Sequence, residues 1–215
     1  VYKDMNGKKY AENISQLALA NVDFDMQNRH HISYNLMMIH ANTQSVGDYN
    51  GKNSIFSDDY ENLGFTRRQQ TNDNMLIVNQ LMTNWGLTKS LSLDAGASYN
   101  MVKGYEPDRR INNLTKAEDG YTLLRGNSQQ RYFSTLDEDD LNVKAGLVYR
   151  LKDNIEEISN VRFGYTGRFV DDNFKATEYN LTVGHVSAIP SLDDFSLDDY
   201  YNQENFASDW FCLLY

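Results

Sequence analysis

The segment YEPDRRIN, residues 105–112, holds the groups best suited to ligand binding. The adjacent guanidiniums of Arg109 and Arg110 could capture an anionic substrate group through charge-assisted hydrogen bonds, with Tyr105 stacking on it. The alternative is an internal salt bridge, in which Asp108 neutralises the arginines and shapes a loop. Both interpretations stay open, and Tyr105, Arg109 and Arg110 are the candidate substrate-binding residues. Arginines and aromatic residues in a loop are what a recognition surface uses.

The remaining titratable residues favour neither catalysis nor metal binding. His30 and His31 are adjacent, so in a strand they point to opposite faces and make a poor metal pair. The acidic runs LDEDD (136–140) and LDDFSLDD (192–199) are typical of solvated borders between strands and loops. A calcium site in a loop is the less favoured alternative, since the spacing of calcium-binding loops is missing. The isolated His40 and His185 are treated as structural.

No catalytic or cofactor motif accompanies these residues. The sequence contains no GxSxG, HExxH, P-loop or GxGxxG pattern. We therefore predict no enzymatic activity, no catalytic residues, no metal site and no cofactor.

The amino-acid composition further narrows the class of protein to which the chain can belong. The formal net charge of −10 argues against a nucleic-acid partner, because no basic stripe could neutralise phosphates. Cys212 is the single cysteine, so an internal disulfide cannot form. The longest aliphatic runs, such as LMMI at 36–39, fall far short of the roughly 20 residues of a membrane helix. A membrane β-barrel stays open, because its strands carry a much weaker signal.

Six segments have the apolar–polar alternation of β-strands. The clearest is LNVKAGLVYRL, in which every second residue from Leu141 to Leu151 is apolar. The third segment alternates poorly, and its faces cannot be assigned from the sequence. The six predicted strands are 11–27, 31–42, 71–85, 91–102, 141–151 with an extension back to 132 left open, and 160–170.

The predicted connections alternate strictly between short and long. The short ones are 28–30, 86–90 and 152–159, and the long ones are the polar stretches 43–65, 103–130 and 190–206. Structureless loops of more than about 12–15 residues are uncommon in compact domains. This alternation places all turns at one end of the sheet and all long loops at the other, which is the anatomy of outer-membrane barrels.

Periodicity alone also fits a soluble β-sandwich, since its antiparallel sheets alternate in the same way. Two observations favour the barrel: the loop alternation, and the aromatic residues Trp85, Tyr99 and Tyr149 near predicted strand ends, where aromatic girdles meet the membrane interface. Six strands cannot close around a lumen of the size these loops imply. Val1 follows no initiator methionine or signal pattern, and we expect the chain to be a segment of a longer protein.

Four segments resemble barrel segments of TonB-dependent outer-membrane receptors from Bacteroides-like bacteria, over about residues 10–180. They are NRHHISYNLMMIHANTQSVGDY (28–49), RRQQTNDNMLIVNQLMTNW (67–85), GYEPDRRINNL (104–114) and SNVRFGYTGRFVDDNF (159–174). PDRRIN and QQTNDN are the most specific parts. The resemblance implies a barrel of 22 strands with an N-terminal plug, which takes up iron chelates, cobalamin or glycans with energy delivered by TonB.

The resulting hypothesis is that residues 1–215 form an all-β, antiparallel, up-and-down segment of such a transmembrane barrel in a Gram-negative outer membrane, without the plug and the other strands. Its expected partners are outer-membrane lipids, a small-molecule or glycan substrate, and TonB through regions outside this chain. Whether a surface lipoprotein covers the loops stays open. The alternatives are a secreted or periplasmic β-sandwich binding module and a passive porin.

Overall fold

The computed structural model describes residues 3–26, 29–124, 129–154, 157–183, 192 and 211–214. Within these ranges the chain is almost entirely β-strand, with one short 3-10 turn at Asp58–Tyr60. The strands are β1 (Lys3–Met26), β2 (His30–Asn53), β3 (Leu63–Gly86), β4 (Leu91–Ala117), β5 (Gly120–Leu123), β6 (Gln129–Asn154), β7 (Glu157–Val183) and β8 (Phe211–Leu214).

All strands belong to one antiparallel sheet with the order β1-β2-β3-β4-β6-β7-β8, and β5 pairs with the far end of β4. The predicted up-and-down order is confirmed, with seven strands along the path instead of about six. Among the described residues β1 and β8 do not pair with each other, so the sheet is not closed as a barrel. No helix in the described ranges has the length and apolar character to cross a membrane.

The strand register sorts the side chains into two faces over six strands. Two neighbouring transverse rows demonstrate this. One consists of Val22, Tyr34, Leu81, Ala97, Val143 and Gly167. The next consists of Asn21, Asn35, Gln80, Ser98, Asn142 and Arg168. Successive residues of a strand point to opposite faces, so the first row belongs to an apolar face and the second to a polar face.

The apolar face is exposed across the sheet. The exposed fraction of its large apolar side chains reaches 81% at Phe163 and is 49% at Leu81 and 40% at Leu141. The register also shows which residues of β3 belong to each face. Ile77, Leu81 and Trp85 share the apolar face, whereas Leu76 and Val78 point to the polar face. This apolar content on both faces explains why β3 alternates poorly in the sequence.

The prediction of long loops at 43–65 and 103–130 was wrong for most of their length. β2 continues to Asn53 and β3 begins at Leu63, and β4 continues to Ala117. Cross-strand polar pairs allow these Gly-, Asn- and Asp-rich stretches to remain in the ladder. One example is Arg67, whose Nε and Nη2 donate to the two oxygens of Asp48 at 2.8 and 2.9 Å. Such bidentate pairs are strong.

Other predicted boundaries also change. β1 begins at Lys3 rather than at residue 11, and β6 begins at Gln129. The predicted prolongation of the sixth strand is confirmed as far as Val183. The third predicted loop, 190–206, lies outside the described residues except for Leu192. The two ends of the sheet therefore differ mainly through long polar strand extensions rather than through the length of their loops.

We call the end with residues 29 and 87–90 the turn end, and the end with residues 54–62 and 118–124 the tip end. The buried apolar side chains of the described chain cluster at the tip end: Phe56, Phe65, Leu114 and Leu123. Leu114 lies opposite both Phe65 and Leu123 in the register. Ser57 begins the short 3-10 turn, and its backbone NH donates to Thr115 Oγ1 at 3.0 Å. These contacts hold the β2–β3 connection against β4.

Candidate functional site

The predicted binding segment 105–112 lies within β4, at a β-bulge rather than in a loop. One extra residue is inserted in β4, because Glu106 and Arg109 lie opposite Ser134 and Tyr132, which are only two residues apart. Beyond this bulge Arg110 lies opposite Arg131, whereas Arg109 lies opposite Tyr132. Adjacent residues of a strand point to opposite faces. The two guanidiniums therefore do not converge on one anionic group.

Asp108 is bound by two arginines. Arg131 donates from Nε and Nη2 to its two oxygens at 3.0 and 2.9 Å, and Arg110 Nε donates at 2.6 Å. Burial alone would raise the pKa of Asp108, but the hydrogen bonds and charges of Arg131 and Arg110 outweigh burial and hold the pKa of this carboxyl below its ordinary value. The salt-bridge interpretation thus holds for Arg110, with Arg131 of β6 as the second partner.

Arg109 lies on the polar face and has other contacts. Its guanidinium stacks over the ring of Tyr132 at 4.0 Å from the centroid. Its Nη1 lies 3.7 Å from Glu106 Oε2. The other carboxylate oxygen of Glu106, Oε1, is buried and has no hydrogen-bond partner. Tyr105 is 53% exposed and shares the apolar side of the sheet by its register with Asp73 and Thr135, so it does not join Arg109.

A second part of the polar face surrounds Tyr49 on β2. A Cβ added to Gly7 would lie 2.4 Å from a ring carbon of Tyr49, and one added to Gly47 would lie 2.8 Å from another. Gly7 is the cross-strand neighbour of Tyr49, and Gly47 precedes it by two residues on the same face. The ring therefore lies flat over two positions at which the backbone has no side chain.

Polar side chains continue from this ring along the same face of β3. Arg68 Nη2 donates to Gln70 Oε1 at 3.0 Å, and Gln70 Nε2 donates to Asn72 Oδ1 at 3.4 Å. Thr66, directly opposite Tyr49, donates to Asn113 Oδ1 at 2.7 Å. We call Tyr49, Arg68, Gln70, Asn72, Arg109 and Tyr132 the tip wall. A planar guanidinium and planar amides between two aromatic rings can exchange hydrogen bonds with a polar ligand.

Sequence reasoning missed the tip wall. Tyr49 and Arg68 lie in or beside the stretch predicted as a loop, and the alternation gave Tyr132 no role beyond a strand position. One signal in the sequence could have indicated this part of the site. Thr43, Ser45, Gly47 and Tyr49 follow each other with a period of two, so a strand here would place small residues beside an aromatic one on a single face.

Nearer the turn end the polar face carries a shallow groove of about 460 Å³. It is lined by Gln80, Ser98, Asn142 and Lys144 among others. Asn21 donates to Asn35 at 2.6 Å in the same transverse row. Arg168 Nε donates to the two oxygens of Asp140, at 3.2 Å each. The transverse row from Asn21 to Arg168 is thus polar on all six strands that it crosses.

The predicted aromatic girdle residues lie at different levels of the apolar face. Trp85 is the penultimate residue of β3 and packs on His30, with ring centroids 4.5 Å apart. Tyr149 lies opposite Leu91 at the same end. Tyr99 is not near the end of β4, because β4 extends to Ala117. It donates to Asp139 at 2.8 Å, where the apolar face gives way to charged residues.

Among the described residues no group of three His, Cys, Asp or Glu side chains is arranged to hold a metal ion. Comparison with known proteins adds no relative: no protein-family model matches the chain, and no curated protein matches it significantly.

Proposed function

We propose that this chain forms part of the wall of an outer-membrane β-barrel, and that the barrel is a TonB-dependent transporter for a scarce nutrient. The observation that carries the barrel is the exposed apolar face, which runs in register over six strands. The opposite face has a polar row across the same six strands, next to an apolar patch on β1–β3 that includes Leu19 and Val78. A membrane barrel needs this arrangement, with lipid on the apolar side and water on the other.

The dimensions of the apolar face support a membrane-spanning role. Along β4 the apolar positions run from Leu91 to Met101, about 34 Å at the rise of an extended strand. Strands of outer-membrane barrels tilt by about 35–45°, which reduces this length to about 26 Å along the barrel axis and matches an apolar band of about 25 Å. Trp85 and Tyr149 then lie at one boundary and Tyr99 at the other, as an aromatic girdle requires.

The tip-end extensions support a receptor rather than a simple anchor. Beyond Met101, β4 continues for about 50 Å to Ala117 as a polar strand. In this proposal the extensions rise above the outer leaflet and carry the surface that captures substrate. The transporter class itself rests on the sequence resemblance, and the plug and the contact with TonB lie outside this chain.

A matched pair of adjacent residues tests the membrane assignment. In a Cys212→Ser background, Ala97→Cys lies on the apolar face and Ser98→Cys on the polar face of the same strand. Each cysteine is labelled with an environment-sensitive fluorophore in native membranes. We expect a lipid-dissolved nitroxide to quench the label at 97, and aqueous iodide to quench the label at 98. A label at 97 that the lipid-dissolved nitroxide does not quench would favour the soluble binding module instead, in which the apolar face packs against protein.

Energy coupling is tested separately in living cells. Deletion of the gene should abolish growth on one scarce nutrient from a panel of ferric chelates, cobalamin and glycans. Collapse of the proton gradient should stop uptake of that nutrient while surface binding persists. Uptake that continues without the gradient would identify a passive porin.

A further inference from the structure

The tip wall combines two aromatic rings with a line of planar polar groups. Tyr49 on β2 and Tyr132 on β6 are three strands apart and about four residues apart along the strands. With strands about 4.8 Å apart and a rise of about 3.4 Å per residue, the two rings are separated by roughly 20 Å. A compact ligand cannot reach both rings, so an elongated ligand fits this surface better.

The Tyr49 ring is shaped for face-on contact. Because Gly7 and Gly47 have no Cβ, the ring rests on the sheet, and it remains half-buried on the polar face. The face of an aromatic ring is its negative side and attracts the polarised C–H groups of a ligand. Sugar rings present such C–H groups on one face and hydroxyls around the edge.

The charged side chains around the two rings differ in sign. Lys9 and Arg68 flank Gly47 across the register, and both are donors only. Glu178 lies opposite Tyr132, and the partnerless oxygen of Glu106 belongs to the cluster around Arg109. At the Tyr132 end these two carboxylates outnumber the single guanidinium of Arg109, so this end does not favour an anionic ligand. A hydroxyl both donates and accepts, so a chain of hydroxyl-bearing rings satisfies both ends.

We propose that the tip wall binds an uncharged oligosaccharide, with Tyr49 and Tyr132 as two stacking positions and Arg68, Gln70 and Asn72 bonding hydroxyls between them. This inference rests on the proposed function, because it assigns the substrate class of the same polar face. It replaces the predicted capture of an anion by Arg109 and Arg110, whose guanidiniums point to opposite faces.

The test uses the protein purified with its native membrane lipids and measures binding by calorimetry. The probes are neutral hexaoses of α-1,4-glucan, β-1,3-glucan, β-1,4-xylan and β-1,4-mannan, with ferric citrate as the anionic probe. We expect at least one hexaose to bind and Tyr49→Ala to weaken its binding by about tenfold or more, as loss of an aromatic anchor does. Tyr105→Ala, which removes an exposed tyrosine from the opposite face, should leave binding unchanged.

Two further variants guard against a folding defect, since Tyr49 covers two glycines. Tyr49→Phe keeps the ring and should retain binding, and Arg68→Gln changes an exposed side chain and should weaken binding several-fold without altering heat resistance. The proposal is overturned if no hexaose binds, if Tyr49→Ala binds as tightly as the natural protein, or if ferric citrate binds in an Arg68-dependent way. The labels at positions 97 and 98 report separately on the barrel, so failure of the two proposals can be distinguished.

Discussion

The side-chain amide of Gln129 bonds to the backbone of Asn113 in the way a neighbouring strand would. The Asn113 NH donates to Gln129 Oε1 at 3.0 Å, and Gln129 Nε2 donates to the Asn113 carbonyl oxygen at 2.6 Å. The backbone ladder between β4 and β6 ends at Ile111 and Gln130, so this side chain extends it by one step. Gln129 is 0% exposed, and it links β4 to β6 beside the tip-end apolar cluster.

Replacement of Gln129 by leucine should destabilise the tip end. The change removes two buried hydrogen bonds from the Asn113 backbone, and a lost buried partner costs about 1–3 kcal/mol. We expect faster hydrogen exchange at residues 113–124 and unchanged exchange in the turn-end halves of the strands. Gln130→Leu is the matched control, since Gln130 is only half-buried. Equal effects of both substitutions would show that the amide geometry of Gln129 is unimportant.

Gly64→Ala should loosen the β2–β3 connection. An added Cβ would lie 2.5 Å from the Leu114 carbonyl oxygen and 2.5 Å from the Phe56 ring, and the carbonyl is backbone that cannot rotate away. We expect a loss of about 1–3 kcal/mol, as for other overpacked sites, and more rapid proteolysis within residues 54–62. At Gly104 the nearest atom would be 3.3 Å away, a side-chain carbon. Gly104→Ala should therefore reduce the stability much less. Cleavage of Gly104→Ala as rapid as that of Gly64→Ala would contradict this prediction.

The sequence predicted the strands well where one face alternates cleanly and failed where the polar extensions begin. At Asp48 and Arg67 the local composition is typical of loops, and only the cross-strand partner, 19 residues away, keeps both in a strand. The prediction of the candidate site from the sequence was wrong for a related reason. The bulge in β4 shifts the register between Glu106 and Arg109, and a bulge has no signature in YEPDRRIN that would separate Arg109 from Arg110.

Asp108 should make stability pH-dependent in acid. Its pKa in the folded protein is lower than in the unfolded chain, where it is about 3.9. Stability from its two arginine partners is therefore fully present above about pH 4 and is lost as the pH falls through the lowered value. Asp108→Asn should reduce the free energy of unfolding at pH 7 by about 1.5–3 kcal/mol, the worth of a hydrogen bond to a charged group.

Urea titrations of the micelle-bound protein at pH 7 and pH 3 measure this effect. The difference between the natural protein and Asp108→Asn should shrink at the lower pH. Asp119→Asn is the control, because Asp119 is exposed in the turn between β4 and β5. A difference that is the same at both pH values would assign the effect of Asp108 to packing rather than charge.

Trp85 should report the membrane boundary at the turn end. It shares the apolar face with Leu81 and packs on His30 next to the last residue of β3. In a Trp210→Phe background Trp85 is the only tryptophan within residues 1–215, and the same protein with Trp85→Phe gives the signal to subtract. Tryptophan at the edge of an apolar band lies at the level of the lipid headgroups. Lipids brominated near the carbonyl groups should therefore quench its fluorescence more than lipids brominated near the chain ends. The control moves the indole to the polar face with Trp85→Phe and Asn84→Trp, one residue earlier on the same strand, where neither lipid should quench. Strong quenching at position 84, or none at position 85, would be incompatible with lipid along the apolar face.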